Sequence, residues 1–285
     1  KLVENKMKTL KVLKTIKLFI NGDFVRTESG RSFKMNNNDG ETYANMSLAS
    51  RKDFRNAVVA AKSAQTVWAK KTAYNRSQIL YRMAEMAEGK ITELENAITE
   101  TTETPKIQAQ LIAQSIVDTF VFYAGFCDKY QQLMSCINPV AGPHHNFTTV
   151  DAVGVVGLFA DKEVSMQLFM DQLCSALTSS NSVVALLPKK YAAILAPLSE
   201  VLATSDLPKG VVNLLTGDQE ELGEHFASHF ELNSLCYLGD NSETKKHFKK
   251  QAAKNMKRIV LPKSKTLELE NILNFVEYKT VWHPA

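Results

Sequence analysis

Four cysteines carry the most reactive side chains of the 285-residue sequence, because a thiolate can attack a carbonyl carbon or ligate a metal. They are Cys127, Cys136, Cys174 and Cys236. No two of them form a Cys-x-x-Cys pair, so their spacing predicts neither a zinc site nor a disulfide framework. We therefore expect reduced, mostly buried thiols and a cytoplasmic location.

A dense run of cations is the second chemical feature, comprising Lys245, Lys246, Lys249, Lys250, Lys254, Lys257 and Arg258. We interpret it as the solvated face of a helix, with an anionic partner as the alternative. The formal net charge of +4 is too small to indicate nucleic-acid binding by itself, and we expect no nucleic-acid partner. His144 and His145 are adjacent, but zinc needs more ligands, so a surface or interface pair is expected.

Composition is that of a globular protein, with 45% hydrophobic and 22% charged residues. The length allows one large domain or two small ones. No apolar run approaches the roughly 20 residues that span a bilayer, so we expect no membrane partner. The basic N-terminus lacks the apolar core of a signal peptide, and either Lys1 or Met7 could be the true start.

The first half of the sequence predicts a hairpin followed by helices. Two short strands flank Asn21-Gly22 within 17–34, which is a hairpin signal. Ser50 and Asp53 have the spacing of a capping box at the start of a helix. Further helices are predicted at about 75–88, at LENAITETTE before Pro105, and at about 108–133.

The second half alternates strands with helices. Short β-branched runs stand at 153–160, 182–187, 211–217 and 234–239, and helical stretches separate them. This alternation predicts an α/β fold with a Rossmann-like parallel sheet and flanking crossover helices.

Several strings resemble the aldehyde dehydrogenase superfamily, in the same order and over nearly the whole chain. They are INGDFV, SGRSF, AVVAAKSAQTVW, NRSQILYRMAEM, VGVVGLF, ALTSSNSVVALL, LPKGVVNLLTG and EYKTV. The chain is most similar to the truncated second repeat of tandem aldehyde-dehydrogenase-like proteins, which lacks a catalytic domain. The resemblance implies a cofactor domain, a β oligomerisation arm and a C-terminal strand.

The domain boundaries follow from that resemblance. A cofactor-type domain is expected at 1–262, with the arm at about 134–153. A connector is expected at 263–274 and the oligomerisation strand at 275–285. Only about a dozen residues separate the KRIVLP string from the tail, so the catalytic domain is expected to be absent, and no cysteine follows Cys236 to serve as nucleophile.

Two positions that the resemblance marks as catalytic are degenerate. The family's oxyanion-donating Asn aligns with Glu163, whose negative charge would oppose the developing oxyanion. The family's general-base Glu aligns with Pro262, which cannot accept a proton. The string Thr266-Leu267-Glu268-Leu269-Glu270 is similar to the base motif shifted by six positions, and we interpret it as part of the connector.

The cofactor positions that the resemblance implies are degenerate as well. The ribose-binding Lys and Glu of the family align with Leu186 and Lys189. The first glycine of the phosphate turn is kept as Gly239, but Asp240 follows it and Thr244 replaces the second glycine. Acidic groups suit a helix N-terminus better than they suit a phosphate neighbour. No cofactor is therefore expected, and NAD(P) would be a ligand only if this degenerate site still binds it.

The tail is expected to act in assembly, because a strand edge without a neighbouring domain favours pairing. Its oligomerisation residues are predicted to be Glu277, Tyr278, Lys279, Thr280, Val281 and Trp282. The leading hypothesis is a catalytically inactive subunit that assembles with a full-length aldehyde dehydrogenase, or with itself, and stabilises or regulates its partner. The alternatives are an NAD(P)-dependent aldehyde oxidoreductase or nucleotide-binding protein, and a basic module for anions or nucleic acid.

Overall fold

The computed structural model describes residues 12–262 and 268–285. Its helices are α1 Arg51–Ala69, α2 Ala73–Gly89, α3 Ile91–Thr101, α4 Lys106–Ala124, α5 Tyr130–Met134, α6 Met166–Thr178, α7 Leu195–Ala203, α8 Gln219–Ser228, α9 Ser242–Ala252 and α10 Leu269–Leu273. Its strands are β1 Lys14–Ile16, β2 Leu18–Ile20, β3 Asp23–Val25, β4 Ser32–Asn36, β5 Thr42–Ser47, β6 Cys136–Ile137, β7 His144–Ala152, β8 Val155–Ala160, β9 Ser182–Leu186, β10 Val212–Leu215, β11 Ser234–Leu238, β12 Arg258–Val260 and β13 Val276–Pro284. A short 3-10 helix, Lys189–Ile194, precedes α7.

A seven-stranded sheet forms the centre of the fold, in the order β12-β11-β8-β9-β10-β2-β3. The first five strands are mutually parallel, and the β2–β3 hairpin is added antiparallel to β10. Strands β8, β9, β10 and β11 are buried at every residue, as expected of a parallel sheet covered on both faces. The predicted α/β fold with a parallel sheet and flanking helices is therefore confirmed.

Helices cover both faces of this sheet. On one face, strand residues such as Val184 and Leu186 pack among aromatic side chains of α1, α8 and α9. On the other face, Val183 and Ala185 join a larger core with α2, α4, α6 and α7. Because neighbouring strand residues point to opposite faces, one apolar run serves both cores.

Two local predictions in the first half are confirmed. Asn21 and Gly22 have positive φ angles of 56° and 75°, as the two central residues of a type I′ turn require, and join β2 to β3. Ser50 caps α1, and its side chain and that of Asp53 form a reciprocal capping box.

The helix predicted at about 108–133 is shorter in the structure. Helix α4 ends at Ala124, with Gly125 as its C-cap. Turns separate it from α5, which starts at Tyr130. The apolar run continues past this break because Cys127 and Tyr130 are buried in the core while they lie outside α4. Hydrophobic periodicity alone therefore could not show where the helix ends.

A second, three-stranded sheet contains the end of the chain, in the order β13-β7-β6. Strand β13 pairs antiparallel with β7 over nine residue pairs, from Val276 opposite Ala152 to Pro284 opposite His144. Strand β6 pairs with the other edge of β7. The expected arm and tail are thus strands of one sheet, although their role in oligomerisation stays a prediction. Of the connector, residues 263–267 lie outside the described residues, as do Lys1 and Met7.

Helix α10, just before β13, is held to the main body by buried polar groups. The Asn271 side chain donates to Asp171 Oδ2 at 2.6 Å, and the Tyr123 hydroxyl donates to Asp171 Oδ1. Gln172 Nε2 lies 3.2 Å from Asp171 Oδ2. Burial raises the pKa of Asp171 to about 6, although these donors act against that rise.

Candidate functional site

The carboxyl ends of β8, β9, β11 and β12 share one edge of the central sheet. Strands β9 and β10 are added on one side of β8, and strands β11 and β12 on its other side, so the strand order changes direction between β8 and β11. The helix after β8, α6, packs on one face, and the helix after β11, α9, packs on the other. In open α/β sheets a crevice at such a reversal is the usual ligand site. We therefore take this edge as the candidate site.

Asp161 connects the parallel strands β8 and β11 at the centre of this crevice. It is the first residue after β8. Its backbone N–H donates to the Leu238 carbonyl at 2.8 Å. Its carboxylate accepts a 2.6 Å hydrogen bond from the Tyr237 hydroxyl at the end of β11. Burial, followed by this bond and the negative charge of Asp161, raises the pKa of Tyr237, so the hydroxyl stays a donor.

Gly239, the one glycine kept from the phosphate turn, faces this pair. A Cβ placed on Gly239 would overlap the Asp161 carboxylate and lie 2.5 Å from the Tyr237 hydroxyl. The space that a glycine leaves open beside its backbone is therefore filled by a carboxylate of the same chain. Asp161 and Tyr237 were not among the predicted site residues. An Asp directly after one strand and a Gly directly after its parallel neighbour is the signal that could have found them.

The N-terminus of α9 is already capped by the protein itself. Asn241 is the N-cap, and its side chain accepts from the Thr244 backbone N–H at 2.9 Å. Glu243 lies in the first turn, and the fully exposed Asp240 carboxylate lies 3.3 Å from Lys245. The capping residue is thus Asn241, whereas acidic Asp240 precedes the cap. An anion approaching this helix end would meet the carboxylates of Asp240 and Glu243, and the Thr244 N–H is already bonded to the cap.

An open cleft of about 740 Å³ lies beside this point, between α8 and α9. Its lining includes Phe159, Gly223 and Phe248 as an apolar wall. Five carboxylates also line it: Asp161, Glu163, Glu220, Glu224 and Glu243. Lys162 and His247 are the basic groups in this lining, and His247 lies 2.7 Å from Glu224. The cleft therefore has an excess of negative charge.

The remaining predicted site residues are spread around this edge. Glu163 is exposed, and its carboxylate lies 3.6 Å from Lys190. Pro262 follows β12 and lines the α6 side of the crevice together with Gly239. Leu186 is fully buried in the core, and Lys189 extends outward over the Phe33 ring at 5.7 Å. The structure thus brings Glu163, Gly239, Asp240 and Pro262 to one edge, while Leu186 offers no polar group there.

The cysteines lie away from the crevice. Cys127, Cys174 and Cys236 are buried, and burial raises the pKa of each thiol, to about 11 for Cys127. Cys136 is exposed but belongs to β6 of the second sheet. A nucleophile needs a thiolate beside its substrate, and none of these four thiols meets both conditions at this site.

The two adjacent histidines make aromatic contacts in the second sheet. His144 packs edge-on against Trp282 at 5.9 Å, and His145 lies near Phe147. Within residues 12–262 and 268–285, no group of three or more His, Cys, Asp or Glu side chains could hold a metal ion. In the same residues no helix is long and apolar enough to cross a membrane.

The fold has a Rossmann-like parallel sheet and a crevice where the strand order changes direction. These two features define the class of α/β proteins with a nucleotide-binding type of fold. The model of the aldehyde dehydrogenase family matches residues 24–264, so the chain belongs to the aldehyde dehydrogenase family.

Individual relatives agree with this assignment. The chain is 30% identical to cytosolic 10-formyltetrahydrofolate dehydrogenase of Xenopus laevis over 268 residues. The aligned region covers 91% of this chain and 29% of that protein. It is 29% identical to mitochondrial benzaldehyde dehydrogenase of Antirrhinum majus, covering 86% of this chain and 46% of that protein. The NAD+ complex of the Bacillus cereus aldehyde dehydrogenase superposes with a TM-score of 0.76 at 26% identity, covering 86% of this chain and 50% of that one. The chain thus spans half or less of these relatives.

Proposed function

We propose that this chain is a non-catalytic subunit of aldehyde dehydrogenase type. It assembles with a full-length aldehyde dehydrogenase, or with itself, and stabilises or regulates its partner. The observation that carries the proposal is the Asp161 carboxylate, which occupies the space beside Gly239 at the carboxyl ends of β8 and β11. A carboxylate at this point places negative charge where a related fold would need a neutral backbone beside a phosphate.

The charges of the residues that line this crevice do not suit a dinucleotide. The Bacillus cereus relative is described as an NAD+ complex, and NAD+ carries a diphosphate. Each contact between a phosphate charge and a carboxylate 4 Å away costs about 1 kcal/mol in bulk water and about 4 kcal/mol at an effective dielectric constant of 20. Five carboxylates line the cleft beside the turn, so the electrostatic penalty opposes binding.

The groups needed for aldehyde oxidation are also missing from the edge. Glu163 would place negative charge where an oxyanion needs a hydrogen-bond donor, and removing one such donor already costs about 3 kcal/mol. Pro262 has no group that accepts a proton. We therefore expect no aldehyde-dependent reduction of NAD(P) by the isolated chain.

Exposed apolar side chains support the assembly part of the proposal. Ile107 and Leu111 lie one turn apart on α4 and are 75% and 59% exposed. Trp282 on β13 is 62% exposed. Large apolar side chains clustered on a surface mark interaction sites more often than isolated ones do.

The test combines assembly with activity. The purified chain is mixed with a purified full-length aldehyde dehydrogenase of the same organism, and the masses of the complexes are measured under native conditions. NAD+ and NADP+ are titrated into the isolated chain by calorimetry. We expect a mixed complex whose activity follows the full-length subunit, and no saturable dinucleotide binding below millimolar concentration.

Two results would contradict the proposal. Micromolar dinucleotide binding, or NAD(P) reduction by the isolated chain, would favour the oxidoreductase alternative. Binding of a polyanion that weakens steeply with salt, and that is lost when Lys246, Lys249 and Lys250 become alanine, would favour the basic module. Helix α9 carries these lysines away from its buried Phe248 and Ala252, so the triple substitution leaves the core intact.

A further inference from the structure

A second cavity, with a volume of about 690 Å³, lies between α3, α7 and the strands β1 and β5. We refer to it as the α3–α7 groove. None of the residues that line it also lines the crevice or the cleft beside the crevice. Its size falls within the range of roughly 300–1,000 Å³ that is usual for small-molecule sites. The groove is therefore a candidate ligand site separate from the one described above.

Two helical stripes form walls of the α3–α7 groove. Helix α3 contributes positions 93, 96, 97 and 100, and the 3-10 helix with α7 contributes positions 193, 196, 197 and 200. Both sets have the i, i+3, i+4, i+7 spacing of a single helix face. Small side chains occupy the middle of both stripes and leave space beside them. They are Ala97, Ala193, Ala196 and Pro197. Phe24 of β3, which is 41% exposed, adds aromatic surface to the same groove.

The groove also carries charges of both signs that are not used within the chain. Lys14 and Lys17 line it from the strand side, and Glu100 lines it from α3. Within residues 12–262 and 268–285, none of these three side chains forms an ion pair. Opposite charges that line one cavity without pairing with each other are separated by it. A ligand placed between them can pair with both.

The two remaining carboxylates of the groove are neutralised by the protein itself. Lys90 Nζ lies 2.8 Å from Glu93 and 2.6 Å from Glu200. Glu100 is therefore the carboxylate that is left for a cationic group of a ligand. Burial, followed by the negative charge of Glu100, raises the pKa of Tyr43, which also lines the groove. The Tyr43 hydroxyl therefore stays protonated and can donate a hydrogen bond.

A ligand with one charge would leave the opposite sign in the groove unpaired, whereas a zwitterion engages both. Exposed ion pairs are individually weak, so useful affinity also requires apolar groups packed against the small residues of the two stripes. The α3 stripe from position 93 to position 100 is about 10 Å long. This is about the length of three extended residues of a peptide. A short peptide with free termini combines the charges, the apolar side chains and the length.

We propose that the α3–α7 groove binds a peptide of two or three residues with free termini. Its carboxylate pairs with Lys14 and Lys17, its ammonium group pairs with Glu100, and its apolar side chains pack against the alanines of α3 and α7. This inference goes beyond the proposed function, because it depends neither on assembly nor on the state of the crevice.

The ligand class is tested by calorimetric titration of the full chain with three forms of one peptide. They are alanyl-alanyl-phenylalanine, its N-acetylated form and its C-terminal amide. Acetylation removes the ammonium group and amidation removes the carboxylate, while the side chains stay the same. We expect the free tripeptide to bind saturably with a Kd of about 10–100 μM. Each blocked form should bind at least tenfold more weakly.

Substitutions assign each end of the peptide to its partner. Glu100→Gln should weaken binding of the free tripeptide about tenfold and leave the N-acetylated form unchanged, because that form has no ammonium group to pair. The double substitution Lys14→Met and Lys17→Met should weaken the free and N-acetylated forms and leave the amide unchanged. Glu88→Gln is the matched control, because Glu88 is exposed on α2 and does not line the groove. It should leave all three affinities unchanged.

Three results would overturn the inference. They are the absence of saturable binding of the free tripeptide at millimolar concentration, equal affinities for the three forms, and an effect of Glu88→Gln as large as that of Glu100→Gln. A chain that binds the tripeptide as described and also reduces NAD(P) would support this inference and remove the proposed function. A chain that assembles with a full-length aldehyde dehydrogenase but binds no tripeptide would remove only this inference.

Discussion

At the scale of single residues, Asp161 accepts a hydrogen bond from Tyr237 and occupies the space beside Gly239. We expect Gly239→Ala to lower the free energy of unfolding by about 1–3 kcal/mol, because its Cβ would overlap the Asp161 carboxylate. In an Asp161→Ala background the same substitution should cost less, since the carboxylate is gone and the Tyr237 hydroxyl has lost the group that holds it in place. Urea unfolding of the four proteins in this double-mutant cycle measures the coupling.

Gly89→Ala is the matched control for that cycle. Gly89 ends α2, and a Cβ placed there meets nothing within 4 Å. Its substitution should change stability by no more than about 1 kcal/mol, in the stabilising direction if helix propensity decides. Additive effects of Gly239→Ala and Asp161→Ala would mean that the carboxylate moves aside and does not hold the space beside Gly239.

Sequence reasoning located several residues of this edge but not the contact between Asp161 and Tyr237. Glu163, Gly239 and Pro262 follow strands that are recognisable as apolar runs. Asp161 and Tyr237 are 76 positions apart, and their contact depends on β11 lying beside β8. That adjacency is a property of the strand order, which local patterns do not specify.

At the scale of elements, the Asp171 network joins α10 to α4 and α6. Burial raises the folded-state pKa of Asp171 from 3.8 to about 6, so the unfolded chain releases this proton at lower pH. The stabilising contribution of this group is therefore present below about pH 4 and lost as pH rises towards 6. The difference in unfolding free energy between the unmodified chain and Asp171→Asn should fall over that interval and then stay level. Urea titrations from pH 4 to pH 7 measure it.

Tyr123→Phe tests the same network in a second pH titration. The Tyr123 hydroxyl donates to Asp171 Oδ1, and this bond holds the pKa of Asp171 down. Without the donor the pKa should rise further, so the loss of stability should shift to higher pH. A pH-independent difference for Asp171→Asn would show that the carboxylate is solvated and does not anchor α10.

The sequence predicted well those elements that depend on residues close together in the chain. The Asn21-Gly22 turn and the Ser50–Asp53 capping box depend on residues within a few positions of each other. The end of α4 at Ala124 was missed because the residues beyond it remain buried. The Asn271–Asp171 bond spans 100 positions, so no local pattern could have indicated it.

At the scale of the whole molecule, the end of the chain divides into a buried part and an exposed part. Phe275 and Val276 are buried, and the Phe275 carbonyl accepts from Asn181 at 2.9 Å. From Glu277 onward the side chains are exposed, and their backbone bonds lie in the second sheet. We expect a chain truncated after Glu277 to lose less unfolding free energy than a chain with a core substitution, because the removed side chains are exposed, and to lose the self-association that we propose. Phe275→Ala, as the opposite control, should cost about 3–5 kcal/mol by opening a core cavity. Urea unfolding and native mass together decide the matter, and a truncated chain as unstable as Phe275→Ala would place β13 in the folding core rather than at an interface.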